Sequence, residues 1–95
     1  MLTSKQRAVL RAMSNGLQSV TQIGKNGIND ALIESLDKTL ENRELIKVTV
    51  LETSMLSAKE ALEEVATRLN AEQVSAVGSK FVIYREAKED PQIKL

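Results

Sequence analysis

Apolar positions along the chain follow two different periods, and the changes of period coincide with residues that stop helices or turn strands. Val9, Leu10 and Met13 share one helical face, and Thr3 followed three residues later by Gln6 is a capping-box pattern, so a helix is predicted from about Ser4 to Ser14. Asn15-Gly16 ends it, since both residues tolerate the left-handed conformation that terminates helices. The β-branched Val20, Thr21 and Ile23 predict a first strand over Gln18 to Ile23. Asn29 then caps a second helix, with Ile28 and Ile33 placed as a hydrophobic staple. Leu32, Ile33, Leu36 and Leu40 form its apolar stripe, and Asp30, Glu34, Asp37 and Glu41 a separate acidic one.

Between Leu45 and Leu51 the period falls to two. Ile46, Val48 and Val50 alternate with Lys47 and Thr49, which predicts a second strand with one better-buried face. Ser57 with Glu60 is another capping box, opening a third helix with an apolar face of Ala58, Leu62, Val65, Ala66 and Leu69 that ends near Asn70. Gln73 to Val77 and Lys80 to Arg85 read as two strands joined through Gly78-Ser79, a tight hairpin with glycine first. The order is helix, strand, helix, strand, helix, strand, strand. A strand-helix-strand unit implies a right-handed crossover and parallel pairing, and the hairpin adds an antiparallel pair. The expected class is therefore α/β (α+β) with a mixed four-stranded sheet. The segment 86–95 is polar, holds the single proline and has no apolar period, so it is expected on the surface or mobile.

At 95 residues, 42% of them apolar, the chain suits one domain with one packed core over 1–95. It has no cysteine and no histidine, which removes disulfides, the usual zinc ligands and the commonest general base. A protein that is not an enzyme and needs no metal or cofactor is the expectation. Glu60, Glu63 and Glu64 fall on a helix face that solvent would cover. Lys5, Arg7 and Arg11 interrupt any signal-peptide pattern, and no run reaches the roughly 20 apolar residues of a membrane span, so a cytoplasmic location without a membrane partner is expected.

Formal net charge is zero, which is unpromising for contact with a polyanion, but the distribution is uneven. From Met1 to Asn29 there are four cations, Lys5, Arg7, Arg11 and Lys25, and no acid. The segment Gln73 to Arg85 is also acid-free and carries Lys80 and Arg85. Arg7 and Arg11 lie one helical turn apart, away from Val9, Leu10 and Met13, and are expected to share an exposed basic edge.

Gly24 and Gly27 flank Lys25-Asn26 where the first strand hands over to the second helix. Free backbone N–H groups and the positive end of a helix dipole suit a phosphate oxygen there, glycine lets a ribose-phosphate chain approach closely, and Lys25 adds charge. G-x-x-G loops clamp nucleic-acid backbone in KH domains on the same logic. The spacing is neither that of a nucleotide-binding P-loop nor that of a dinucleotide fingerprint. Alone, two glycines three apart more often mark a plain turn.

Taken together, Gly24-Lys25-Asn26-Gly27, Glu44-Leu45-Ile46-Lys47-Val48 and Val77-Gly78-Ser79-Lys80-Phe81-Val82-Ile83-Tyr84-Arg85 resemble the CRM domain (chloroplast RNA splicing and ribosome maturation), whose stand-alone bacterial members are the YhbY-like proteins. The resemblance implies an RNA-binding domain similar in fold to the carboxy-terminal domain of translation initiation factor three, preceded by an extra helix. It also implies association with precursors of the large ribosomal subunit, with ribosomal RNA and ribosomal proteins as partners. Carried onto this chain, the RNA-contacting loop is Gly24 to Gly27, with Lys47, Lys80 and Arg85 at further motif positions and Leu45, Ile46, Val82 and Ile83 in the core. The chain departs from many members in being neutral rather than strongly basic, which bears on affinity more than on fold. Phe81 and Tyr84 are its only aromatics, and Phe81 is expected in the core, so base stacking contributes little. A second reading makes the acidic stripe Asp30, Glu34, Asp37 and Glu41 a docking face for a basic protein partner.

Overall fold

Local capping chemistry sets where each helix begins. In the computed structural model, which describes residues 2–95, α1 (Ser4–Ser14) starts with the Thr3 hydroxyl accepting from the Gln6 N–H at 3.1 Å and the Gln6 side chain accepting from the Thr3 N–H at 3.0 Å. The Asn29 side chain accepts from the Leu32 N–H at 2.8 Å at the start of α2 (Asp30–Arg43). Ser57 and Glu60 make the second reciprocal box at the head of α3 (Ala58–Leu69), which stops at Asn70 in the left-handed region, φ 53°. The strands are β1 (Ser19–Ile23), β2 (Leu45–Val50), β3 (Glu72–Val77) and β4 (Lys80–Tyr84). Gly78 turns the β3–β4 hairpin at φ 61°, a conformation that glycine adopts without a Cβ penalty.

The sheet order is β1-β2-β4-β3, with β1 parallel to β2 and both other pairs antiparallel. The mixed four-stranded sheet and the three helices are those expected. A single 3₁₀ turn, Glu52–Ser54, follows β2 and was not expected, because a short polar run carries no helical period.

Two apolar clusters sandwich the sheet. Ile23, Ile46, Val48, Phe81 and Ile83 meet α2 and α3 on one face, and Leu45, Val74, Val82 and Tyr84 meet Leu10 of α1 on the other. β2 has the one better-buried face that its alternation predicts, Ile46, Val48 and Val50, and in addition buries Leu45 on the other face at its start. That addition comes from α1, which covers Leu45 but leaves Lys47 and Thr49 half-buried. The buried side of α1 differs from expectation. Leu10 and Ser14 face inward while Val9 and Met13 are each 45% exposed, and Ser14 is satisfied locally, its hydroxyl donating to the Arg11 carbonyl at 2.7 Å.

Glu44 links α2 to β2 with no solvent exposure and φ 65°. Its carboxylate accepts the backbone N–H of Ala87 at 2.8 Å and those of Gln92 and Ile93 at 2.7 Å. Burial raises its pKa, but these three donors outweigh that and hold the group below the ordinary carboxylate range. Glu41 takes the N–H groups of Lys88 and Glu89 beside it. The segment after β4 thus lies on the surface, tied by two carboxylates, with Ala87 buried and Ile93 packed on the α1-side cluster. Burial, then the nearby carboxylates of Glu44 and Glu86, push the Tyr84 phenol up, so it stays protonated beneath this strap.

Candidate nucleic-acid interface

Three connections meet at one end of the sheet, because β1 and β2 run the same way and the hairpin turns beside them. Ile23 pairs with Val50, the Leu51 N–H donates to the Ile23 carbonyl at 2.9 Å, and the Val50 N–H donates to the Ser79 carbonyl at 2.6 Å. The turn Gly24–Gly27, the loop around 51–57 and the hairpin corner Gly78-Ser79 are therefore neighbours.

Gly24–Gly27 is a closed β-turn, with the Gly27 N–H donating to the Gly24 carbonyl at 2.9 Å and Lys25 and Asn26 exposed at its corner. The N–H groups of Lys25 and Asn26 find no acceptor among the described residues. Gly27 sits at φ 65°, and a methyl added there would meet nothing within 4 Å, so the outer surface of the turn is open. A Cβ on Gly24 would make ordinary contacts with Thr53 and Leu51, at 3.5 and 3.6 Å. Neither glycine is demanded by internal crowding. Only Gly27 is demanded by the backbone. Two acids border the turn, Glu52 in the 3₁₀ turn and Asp30 at the first position of α2.

Asp30 is neutralised by Arg68 of α3, whose guanidinium donates to its carboxylate at 2.7 Å and to the Ile28 carbonyl at 3.2 Å. Arg68 braces the start of α2 from a distance of 38 residues along the chain, which no local pattern reports. Glu44 was likewise visible only as a motif letter.

The other sequence-derived cations divide into groups. Lys80 begins β4 next to the hairpin corner, exposed, and lies in one lateral row with Thr49 and Gln22. Lys47 points to the α1 side and shares a depression with Lys80 at the C-terminal end of α1. Arg11 is exposed on α1, whereas Arg7 is half-buried, its Nε donating to the Gln73 carbonyl at 3.2 Å on the edge strand. The two do not form one free basic edge. Arg85 stands apart: it is 16% exposed and donates to the Asp37 carboxylate at 2.7 Å, to the Leu69 carbonyl at 3.1 Å and to the Asp37 carbonyl at 3.0 Å. It cross-ties β4 to both α2 and α3 on the face opposite Lys47 and is not presented to a ligand.

Charge is sorted by layer. α1 carries Lys5, Arg7 and Arg11 and no acid, while α2 and α3 together hold seven acids against four cations on the other face of the sheet. Phe81 is fully buried and Tyr84 nearly so, which leaves no aromatic platform for bases. Among the described residues no group of three or more His, Cys, Asp or Glu could hold a metal ion, and no helix is long and apolar enough to cross a membrane.

A three-layer mixed α/β domain with an exposed Gly-Lys-Asn-Gly turn at the end of its parallel strands is the class of protein that the geometry defines. The CRS1/YhbY (CRM) domain model matches residues 2–85, and the chain belongs to that family. The protein of Bacillus subtilis named probable RNA-binding protein YqeI is 38% identical over 95 residues, covering 100% of this chain and 99% of its own. A Haemophilus influenzae protein named RNA-binding protein is 27% identical over 88 residues, covering 93% and 89%. The solution structure of a hypothetical protein from Staphylococcus aureus superimposes with a TM-score of 0.79 at 43% identity, over 100% of this chain and 99% of that one.

Proposed function

We propose that this chain is a non-catalytic, cytoplasmic RNA-binding protein that associates with precursors of the large ribosomal subunit and acts in their assembly. The turn Gly24–Gly27 carries the reading. It offers unused N–H groups, an open outer surface and a lysine on the turn that leads into the capped N-terminus of α2, an arrangement that suits a phosphate oxygen. Family membership and the RNA-binding names of the relatives support RNA as the polyanion. With both aromatics buried, affinity comes from phosphate contacts, so it is steeply salt-dependent and modest in sequence preference.

The docking reading of the acidic stripe is less well supported, because its members have partners inside the molecule. Asp30 meets Arg68, Asp37 meets Arg85, Glu34 meets Lys38 and Glu41 holds the strap. The test has two parts. Lys25→Glu is expected to weaken binding to ribosomal RNA about tenfold or more at low salt without lowering Tm, by replacing an attraction with a repulsion at a phosphate. In a gradient of cell extract the protein is expected to travel with immature large subunits, and migration with neither immature nor mature subunits would remove the assembly role.

A further inference from the structure

α1 packs on β2, β3 and β4 and reaches β1 much less. Its C-terminal turn therefore overhangs an open trough, which continues through three adjoining depressions. The first lies between the α1–β1 link and the end of α2, around Gln18, Asn42 and Arg43. The second, of about 310 Å³, shares those three residues and adds Lys47 beside Leu17 and Leu45, with Gln92 and Ile93 of the strap along its edge. The third shares Lys47 and ends at Lys80. No aspartate or glutamate lines any of them, although the chain holds as many acids as cations. Arg43, Lys47 and Lys80 are its only charged residues, and none of the three is in a salt bridge among the described residues.

We propose that this trough is the path of a single-stranded RNA segment, entering from the Gly24–Gly27 turn and running past Lys80 and Lys47 to Arg43. The inference rests on the RNA-binding reading above and gives it a direction and a strand state. β-strand rise places Lys80 and Lys47 about 7 Å apart along the sheet, and Arg43, the last residue of α2, lines the same depression as Lys47, so the track spans a few nucleotides. A single strand can lay its phosphates on the three cations while an unpaired base reaches into the depression of about 310 Å³, which a base held in a duplex cannot do. Gln18 and Asn42 have donors and acceptors for base or ribose edges. Arg43 is the residue that sequence reading passes over, because a cation in the last turn of a helix is ordinary in its own right.

One competing use of the lysines comes from the same geometry. The carbonyl end of α1 forms a wall of the third depression, and cations there also neutralise the helix terminus. Fluorescence anisotropy with a 12-nucleotide unstructured RNA and with a blunt RNA duplex of equal length separates the possibilities when paired with thermal melts. The single strand is expected to bind more tightly than the duplex. Arg43→Gln, Lys47→Gln and Lys80→Gln should each weaken it about three- to tenfold and lower the slope of log affinity against log salt by roughly 0.7. Lys47→Arg and Lys80→Arg should restore binding, and Lys59→Gln, on the acidic side, should change nothing. A triple Gln variant that binds like the parent while Lys25→Glu binds weakly overturns the trough and leaves the turn standing. Loss of Tm without loss of affinity assigns the lysines to the helix terminus and likewise overturns it, as does preference for the duplex. A parent that binds neither RNA defeats the reading beneath it.

Discussion

Replacing Glu44 with Gln is the sharpest perturbation of this fold, because it keeps the shape and removes the acceptor chemistry. The native carboxylate takes three backbone N–H groups at 2.7 to 2.8 Å with no exposure of the residue to solvent. In the variant one oxygen survives, and the amide NH2 must face a backbone donor. Bonds to a charged group are each worth about 1.5–3 kcal/mol, so three total on the order of 5–9 kcal/mol gross. That figure is not reached, since a strap that loses its anchor swings into water and its amides rehydrate. The expected loss is the docking free energy of the strap, about 2–3 kcal/mol, or roughly 8–24 °C in Tm for a domain of this size. The same group sets an acid limit. Its folded pKa is depressed, so its contribution is complete above the ordinary value of 4.5 and is lost as pH falls through the lower folded value. Hydrogen exchange read by NMR should show the Ala87, Gln92 and Ile93 amides protected in the parent at neutral pH and unprotected in Glu44→Gln. A variant with parental Tm and unchanged protection at those amides would refute the anchor.

Arg85→Ala should cost about 1–2 kcal/mol in denaturant melts by removing the cross-tie to the Leu69 carbonyl and to the half-exposed Asp37, with RNA affinity unchanged; a loss of affinity at constant stability would return Arg85 to the interface. Met55 is 89% exposed at φ 64°, so Met55→Gly should raise stability by about 1 kcal/mol, and a destabilised variant would show that the side chain packs. Gly27→Ala should cost about 1–2 kcal/mol through its positive φ alone, since the methyl meets no protein atom, while lowering RNA affinity by obstructing the open side of the turn; unchanged affinity in a titration would argue against backbone contact there.

What could be read from the sequence was what neighbours along the chain decide. Thr3 with Gln6, Asn29, and Ser57 with Glu60 placed three helix starts correctly because a cap is a bond across three residues, and Gly78-Ser79 placed the hairpin for a similar reason. The misreadings are all contacts made from afar. Arg85 looked like a free cation until Asp37, 48 residues away, occupied it. Glu44 stood only as the first residue of a motif, and the amides it holds lie 43 to 49 residues later. Val9 and Met13 satisfied a helical period, but which side of α1 is covered depends on where β2 and β4 lie, and that side proved to be Leu10 and Ser14. The turn Gly24–Gly27 was legible in position, while its neighbours across the sheet end required the strand order.

The sorting of charge onto opposite faces has a consequence for how far each face is felt. Even the shortest dimension of the molecule, 22 Å, exceeds the ~8 Å Debye length at physiological ionic strength more than twofold. Acids on the outer surface of α3 are therefore largely screened from the cations of α1, whereas those at the two ends of α2 lie closer to the turn and the trough. At that ionic strength the molecule acts as a local cation despite its pI of 6.3. At low salt the two faces sense each other, and copies can stack basic face to acidic face. Such a bipolar particle should adhere to both anion- and cation-exchange media near neutral pH and should associate reversibly as salt is withdrawn.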